Sequence, residues 1–358
     1  MEKDGDGWDE HNFLIGNGFD IQMGLKTSYT DFYDNVVASK LTENQIYNSI
    51  KDKPTEWSDF EVALGQYTYT LKVHIDNCAT DDDKRVCLDK FFTDLLELKE
   101  DLGDYIEGEE DKFDYEKLTH ELAQGSFDNL FNELEKIDRD IFFRETSKCT
   151  TSNAFFDVIT FNYTSIIDKC LEPLMRKKFN WKEQKLNSTG TSIVRSVNHI
   201  HGTLHKHMTF GVNDVSQLCE EAIEKSHFHQ IIKPDEVVEG RNGRDNEAES
   251  TILNSDIIVI YGMSLGSTDR KWWEIVCRWL SLSEKHLLLI NEYDENEPKR
   301  KYISYYVNIK RQCRSKLLSY TPKDVSSIDF ENQIFILPNS KSFFFVPVTV
   351  KGSIMTLS

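Results

Sequence analysis

An open, doubly wound α/β sheet carrying an all-helical insertion is the architecture this sequence predicts. Two observations point to it. Short β-branched runs recur at Phe155–Phe161, Ser192–Ile200, Asp256–Tyr261 and His286–Ile290. They are continuous rather than alternating, as expected of strands covered on both faces of a parallel sheet. Helical patterns separate several of them, at Ser165–Lys178, Asp269–Ser283 and Tyr302–Leu318, and strand–helix alternation is the signature of the α/β class.

Read in order, residues 1–10 are an acidic N-terminal tail. Residues 11–16, HNFLIG, form a buried strand that enters a Gly-Asn-Gly turn. A turn and a helix follow over 17–39, with Tyr29, Phe32, Tyr33 and Val36 at helical spacing. Residues 41–150 carry long amphipathic patterns with few β-branched runs, and they read as the helical insertion. Within it, Ser58 and Glu61 have the spacing of a capping box at a helix start. Eleven acids face two lysines between Asp94 and Glu116, which reads as a solvated helix face. The four strands and their helices then follow over 151–358. Residues 220–250 read as a polar loop, and IFILP with SFFFVPVTV as a terminal strand pair. Residues 11–40 and 151–358 thus make one core, split by 41–150.

Composition restricts the function classes. The 358 residues hold 42 basic and 61 acidic side chains, a formal charge of −19. A long nucleic-acid groove needs a basic stripe, so nucleic acid is an unexpected partner. An anionic lipid surface is disfavoured for the same reason, and no run approaches the ~20 apolar residues that span a bilayer. The polar N-terminus does not read as a signal peptide. Seven dispersed cysteines, none spaced as CxxC, suit reduced thiols in the cytoplasm.

Four polar constellations fall at the C-terminal ends of predicted strands, where open α/β sheets bind ligands. The first is Gly16-Asn17-Gly18-Phe19-Asp20 with Gly24 and Thr27-Ser28-Tyr29. Its glycines suit either close backbone approach to a phosphate or a plain strand–turn–helix. Second comes Phe161-Asn162-Tyr163-Thr164, where Asn162 could fix a hydroxyl or a water, or make an Asx turn. In the third, His199-Ile200-His201-Gly202, strand alternation puts both histidines on one side. A general base, a metal ligand and a structural histidine are all open readings there. The fourth is Gly262-Met263-Ser264-Leu265 running to Asp269, with Asn291 at the end of the following strand. Trp272 and Trp273 read as core.

Taken in order, LIGNGFDIQMGLKTSYTDF, FNYT, HIHG and YGMSLGSTD resemble the blocks of the bacterial abortive-infection AbiH family. The same blocks resemble, more distantly, the Rossmann-like core of sirtuin-type NAD-binding proteins. That resemblance implies an NAD-like dinucleotide as ligand or substrate and no metal. It places Asn162 and His201 in catalytic positions. Gly16, Asn17, Gly18, Phe19, Asp20, Tyr163, Gly262, Ser264, Leu265 and Asn291 would lie around the dinucleotide, with backbone amides of Gly16–Phe19 and Gly262–Ser264 on its pyrophosphate. Thr164 stands where sirtuins carry aspartate, and the zinc-binding cysteine quartet is missing. The implied role is an antiphage effector that hydrolyses NAD, or a non-catalytic sensor of NAD or ADP-ribose-type nucleotides. A homo-oligomer or a defence-system partner fits either; a nucleic-acid-acting toxin fits less well.

Overall fold

The computed structural model describes residues 8–40, 43–52, 60–128, 134–146, 153–183, 188–233, 243–300, 302–325, 330, 332–340, 349–350 and 353–354. Its centre is a seven-stranded sheet. In chain order the strands are β1 (Trp8–Ile15), β2 (Asn153–Thr160), β3 (Phe179–Glu183), β4 (Ser188–His199), β5 (Ile257–Tyr261), β6 (Leu287–Glu292) and β7 (Ile334–Pro338). Their spatial order is β3-β4-β2-β1-β5-β6-β7. Every neighbouring pair is parallel except β3 with β4, which is antiparallel. The six parallel strands therefore run outward from β1 in both directions, the 3-2-1-4-5-6 order of a Rossmann-like sheet. The order reverses between β1 and β5, whose ends meet through the Ile15–Tyr261 pair.

Helices cover both faces, so the strands are apolar on both. Phe13 and Ile15 of β1 face one core with Phe19, Phe127, Phe142 and Ile166. Leu14, between them, faces the other core with Ala248, Trp273, Trp279 and Leu317. The first face is covered by α1 (Gly18–Gln22), α6 (His120–Asp128), α7 (Lys136–Thr146) and α8 (Ile166–Leu171). The second is covered by α9 (Arg244–Asn254), α10 (Arg270–Leu282) and α11 (Ile303–Leu318). Trp272 and Trp273 are both buried there.

The described residues of 43–146 are helical apart from their connections, with α3 (Gln45–Asp52), α4 (Phe60–Asp76) and α5 (Asp81–Glu110) preceding α6 and α7. Helices α3–α5 share a third core with Phe32 and Val37 and with Phe210–Ile232. Helices α6 and α7 instead send Ala123, Phe127, Phe142 and Phe143 onto the sheet.

Several local expectations are corrected. β1 begins at Trp8, three residues before the apolar run, because Trp8–Glu10 pair with Asn153–Phe155. The helix read over Ser165–Lys178 is only Ile166–Leu171, and antiparallel β3 follows it. The polar stretch 220–250 contains most of α9, which the core holds through Ala248 and Ile252 four residues apart. IFILP pairs in parallel with β6 as an edge strand rather than with the tail. Residues 342–348 of its expected partner lie outside the described residues, while Thr349–Val350 pairs with Ser353–Ile354.

The acidic run is not a plain solvent face. Asp94 is 1% exposed and accepts the Gln45 amide at 3.0 Å. Glu109 is also buried and accepts the Lys26 amide at 3.0 Å, and Asp101 accepts the Tyr47 hydroxyl at 2.5 Å. Glu110 accepts the amide and hydroxyl of Ser165. Asp94 and Asp101 tie α5 to α3, and Glu109 and Glu110 tie it to the loops after β1 and β2.

Candidate active site

A cavity of about 390 Å³ opens at the switch point, beyond the C-terminal ends of β1, β2 and β5. That volume is in the range of small-molecule and cofactor sites. The sheet contributes Gly16, Asn17, Gly18, Asp20, Asn162, Tyr163, His201, Gly262 and Ser264 to its lining. The opposite wall comes from Glu61 of α4 and from Leu102 and Ile106 of α5. Nine of the twelve residues singled out in the sequence thus meet at one cavity. Three do not line it. Phe19 is buried against Tyr261, their rings 6.4 Å apart. Leu265 belongs to the second core. Asn291, at the end of β6, reaches the Ser340 carbonyl at 3.5 Å.

The glycines of the two loops serve each other. Gly16 N–H donates to the Tyr261 carbonyl at 3.0 Å, and Gly18 N–H to the Gly262 carbonyl at 2.8 Å. Phe19 N–H donates to the Gly16 carbonyl at 2.9 Å. A Cβ on Gly18 would lie 2.6 Å from the Gly262 Cα, and Gly262 has φ +66°. Loop contact, rather than ligand approach alone, is therefore what demands glycine here. Of the expected phosphate-holding amides, those of Gly16, Gly18 and Phe19 are already donated within the protein. Among the described residues, the amides of Asn17, Asp20, Met263 and Ser264 have no protein acceptor. The Asn17 side chain exchanges hydrogen bonds with Thr27, fixing the loop that leads to Tyr29.

Asn162 sits on a rigid backbone. Its N–H donates to Thr160 Oγ1 at 3.2 Å, and its carbonyl accepts His199 Nδ1 at 3.1 Å. His199 Nε2 in turn meets Asp168 Oδ2 at 2.8 Å. Both ring nitrogens face acceptors, which makes both donors and His199 an imidazolium. Burial opposes that charge, but the Asp168 carboxylate and the Asn162 carbonyl raise its pKa above the ordinary value. The Asn162 side chain is 4% exposed, and among the described residues neither its Oδ1 nor its Nδ2 has a hydrogen-bond partner.

Asp20, 2% exposed, accepts the Thr164 hydroxyl on Oδ2 at 2.8 Å, while Oδ1 has no hydrogen-bond partner among the described residues. Burial pushes its pKa up to about 7, against the Thr164 hydroxyl, the nearby Asn162 amide and the His199 charge; Glu110 adds to the rise. The Asn162 amide lies close enough to favour the carboxylate but makes no hydrogen bond of ordinary geometry to it.

The two histidines part company because β4 stops at His199 and strand alternation ends with it. His201 enters the cavity beside Phe161, with ring centroids 5.5 Å apart. Burial, together with the charges of Lys233 and Arg244, holds its pKa well below the usual histidine value, so it is neutral. Gly202 follows with φ +73°, and a Cβ there would lie 2.1 Å from the His207 carbonyl oxygen.

Sequence reasoning missed Lys233 and the place of Glu61 at the cavity. Both line the cavity and are buried, and Lys233 Nζ meets Glu61 Oε1 at 2.6 Å. Asn213 Nδ2 also donates to Glu61, at 3.2 Å. The carboxylate is thus part of a cavity-wall ion pair; the capping box read for it involves Ser58, which lies outside the described residues. The partners are 172 positions apart, and no local pattern announces such a pair.

Fold and cavity together define a Rossmann-like α/β protein with a cavity at its topological switch point. The bacteriophage abortive infection AbiH family model matches residues 13–290, and the chain belongs to that family. Membership carries with it a role in abortive infection, as an antiphage protein. No curated protein matches the chain. Among the described residues, no helix is long and apolar enough to cross a membrane.

Proposed function

We propose that the cavity binds an NAD-like dinucleotide and cleaves its nicotinamide N-glycosidic bond. One observation carries the reading. Asn162 presents a buried amide with both atoms unpartnered, on a backbone clamped by His199, beside a carboxyl with one oxygen unpartnered. A buried polar atom left without a partner costs ~1–3 kcal/mol, so such atoms on two residues that line the cavity suit a polar ligand. The distant sirtuin-like order of the motifs names the ligand class.

Cleavage of that bond builds positive, oxocarbenium character on the ribose. Asn162 holds the ribose or the attacking water, and neutral His201 meets a ribose hydroxyl. The undonated amides of Asn17, Asp20, Met263 and Ser264 are aligned with the pyrophosphate in this reading. Lys233 offsets Glu61, so the wall does not repel an anion.

Incubation of the purified protein with NAD, followed by chromatography for nicotinamide and ADP-ribose, tests this. Release that falls by at least ~100-fold in Asn162→Ala is the expected result. Wild-type protein that binds NAD without releasing nicotinamide would select the sensor reading instead; neither binding nor release would remove both.

A further inference from the structure

We infer that Asp20 is the general base of this site, taking on Oδ1 the proton of the water that replaces nicotinamide. The inference rests on the glycosidic-cleavage reading given above. Four features of the carboxyl support it. Asp20 lines the cavity, in α1 directly after the central strand. Its Oδ2 is fixed by the Thr164 hydroxyl, which sets the orientation of the group. Its Oδ1 has no hydrogen-bond partner among the described residues, and the Asn162 amide is near enough to favour the carboxylate. His201, the other candidate, is kept neutral by burial and by two nearby cations, so proton uptake there is disfavoured.

The surroundings suit a group that cycles between two protonation states. Glu110 of α5 opposes ionisation, while the His199 imidazolium at the end of β4 favours it. Cys170 of α8 is held as the neutral thiol by burial and by Asp20 and Asp168. Thr164 and Asn162, from the loop after β2, favour the carboxylate without adding charge. A pKa near 7 leaves both forms populated at neutral pH, the condition for an efficient base.

The step balances. The water oxygen bonds to the anomeric carbon of the ribose as the bond to the nicotinamide nitrogen breaks. The bonding pair leaves on that nitrogen and neutralises the pyridinium. The water proton passes to Asp20 Oδ1 and then to solvent. One NAD and one water give nicotinamide, ADP-ribose and one proton.

Two variants test the assignment through kcat, KM and the pH profile of nicotinamide release. Asp20→Asn is expected to lower kcat by ~100-fold or more with KM changed by less than about threefold. Thr164→Val removes a hydrogen bond to the carboxylate, and so is expected to shift the acidic limb of the profile to higher pH. Should Asp20→Asn not fold, that shift alone decides. An Asp20→Asn protein with wild-type kcat, or a Thr164→Val limb that stays put, overturns the assignment while leaving the cleavage reading standing. Absence of nicotinamide release from the wild type removes both.

Discussion

Asp20→Asn makes a prediction about stability that is independent of any reaction. The carboxyl has a folded pKa of about 7 against an ordinary value of 3.8. Its sign is the reverse of a salt-bridged aspartate. As pH rises above 3.8 the unfolded chain gives up this proton first, so the unfolded state binds fewer protons than the folded one. Stability therefore falls between pH 3.8 and about 7, and the full penalty stands above that range. Each unit of pKa difference is worth ~1.36 kcal/mol, so the penalty at pH 8 is roughly 4 kcal/mol. Asparagine cannot ionise and escapes it. The new amide keeps an acceptor for Thr164 but buries an N–H where Oδ1 had no partner, which costs ~1–3 kcal/mol at every pH.

That constant offset cancels when two pH values are compared. Between pH 5 and pH 8 the unfolded carboxyl is ionised throughout, while the folded one loses its proton near 7. The difference in unfolding free energy between Asp20→Asn and wild type should shift in the variant's favour by about 2.5 kcal/mol over that interval. Urea unfolding followed by tryptophan fluorescence reads it at each pH, with the six tryptophans as the probe. A gap equal at pH 5 and pH 8 within ~0.5 kcal/mol would show that Asp20 is not the perturbed group, and the base assignment would lose its electrostatic support.

Other substitutions probe the frame around it. His199→Ala should destabilise more at pH 6 than at pH 9 in the same assay. A pKa raised above 6.5 gives stability that is complete below that value and lost as pH rises through the folded pKa. Gly18→Ala drives a Cβ into the Gly262 backbone and should destabilise by ~1–3 kcal/mol in thermal unfolding. Gly103→Ala, in the interior of α5 with open space around it, should stabilise by ~0.5–1 kcal/mol instead. Lys233→Met leaves Glu61 buried with only Asn213, a loss of ~3–5 kcal/mol, and the double variant with Glu61→Leu should recover most of it.

What the sequence disclosed follows from the range of the forces involved. Runs such as Ile257–Tyr261 are buried on both faces, so their composition alone reports a central parallel strand. The strand-end loops were legible because glycine and asparagine are needed where chains turn or touch. Edge strand β3 was not, since Phe179–Glu183 is short, has no β-branched residue and takes its identity from pairing with β4. Helix α9 was hidden by polarity, because only Ala248 and Ile252 of its eleven residues are buried. The site shows the same division. Its sheet side is built from loops with local signatures. The far wall, Glu61 with Lys233 and Leu102 with Ile106, exists only through tertiary contact.

Charge placement explains how so acidic a chain can keep a site for an anion. The acids of Asp94–Glu116 are not spread over the cavity wall. Asp94, Asp101, Glu109 and Glu110 point to backbone amides and hydroxyls of α3 and of the loops after β1 and β2, where a carboxylate is a strong acceptor. The same helix turns Leu102 and Ile106 to the cavity. Inside, Glu61 is matched by Lys233, and the field of Asp20 is partly offset by the His199 imidazolium. Glu61 and Asp20 thus come with compensating cations, and the acids of α5 named above anchor the wall. Removing one of those cations should accordingly weaken an anionic ligand more than a neutral one. Lys233→Met, in a background made stable by Glu61→Leu, should leave NAD binding nearly unchanged by titration calorimetry, because both charges go together. Lys233→Met alone should lower it by tenfold or more, through the unpaired Glu61 carboxylate it leaves at the cavity wall.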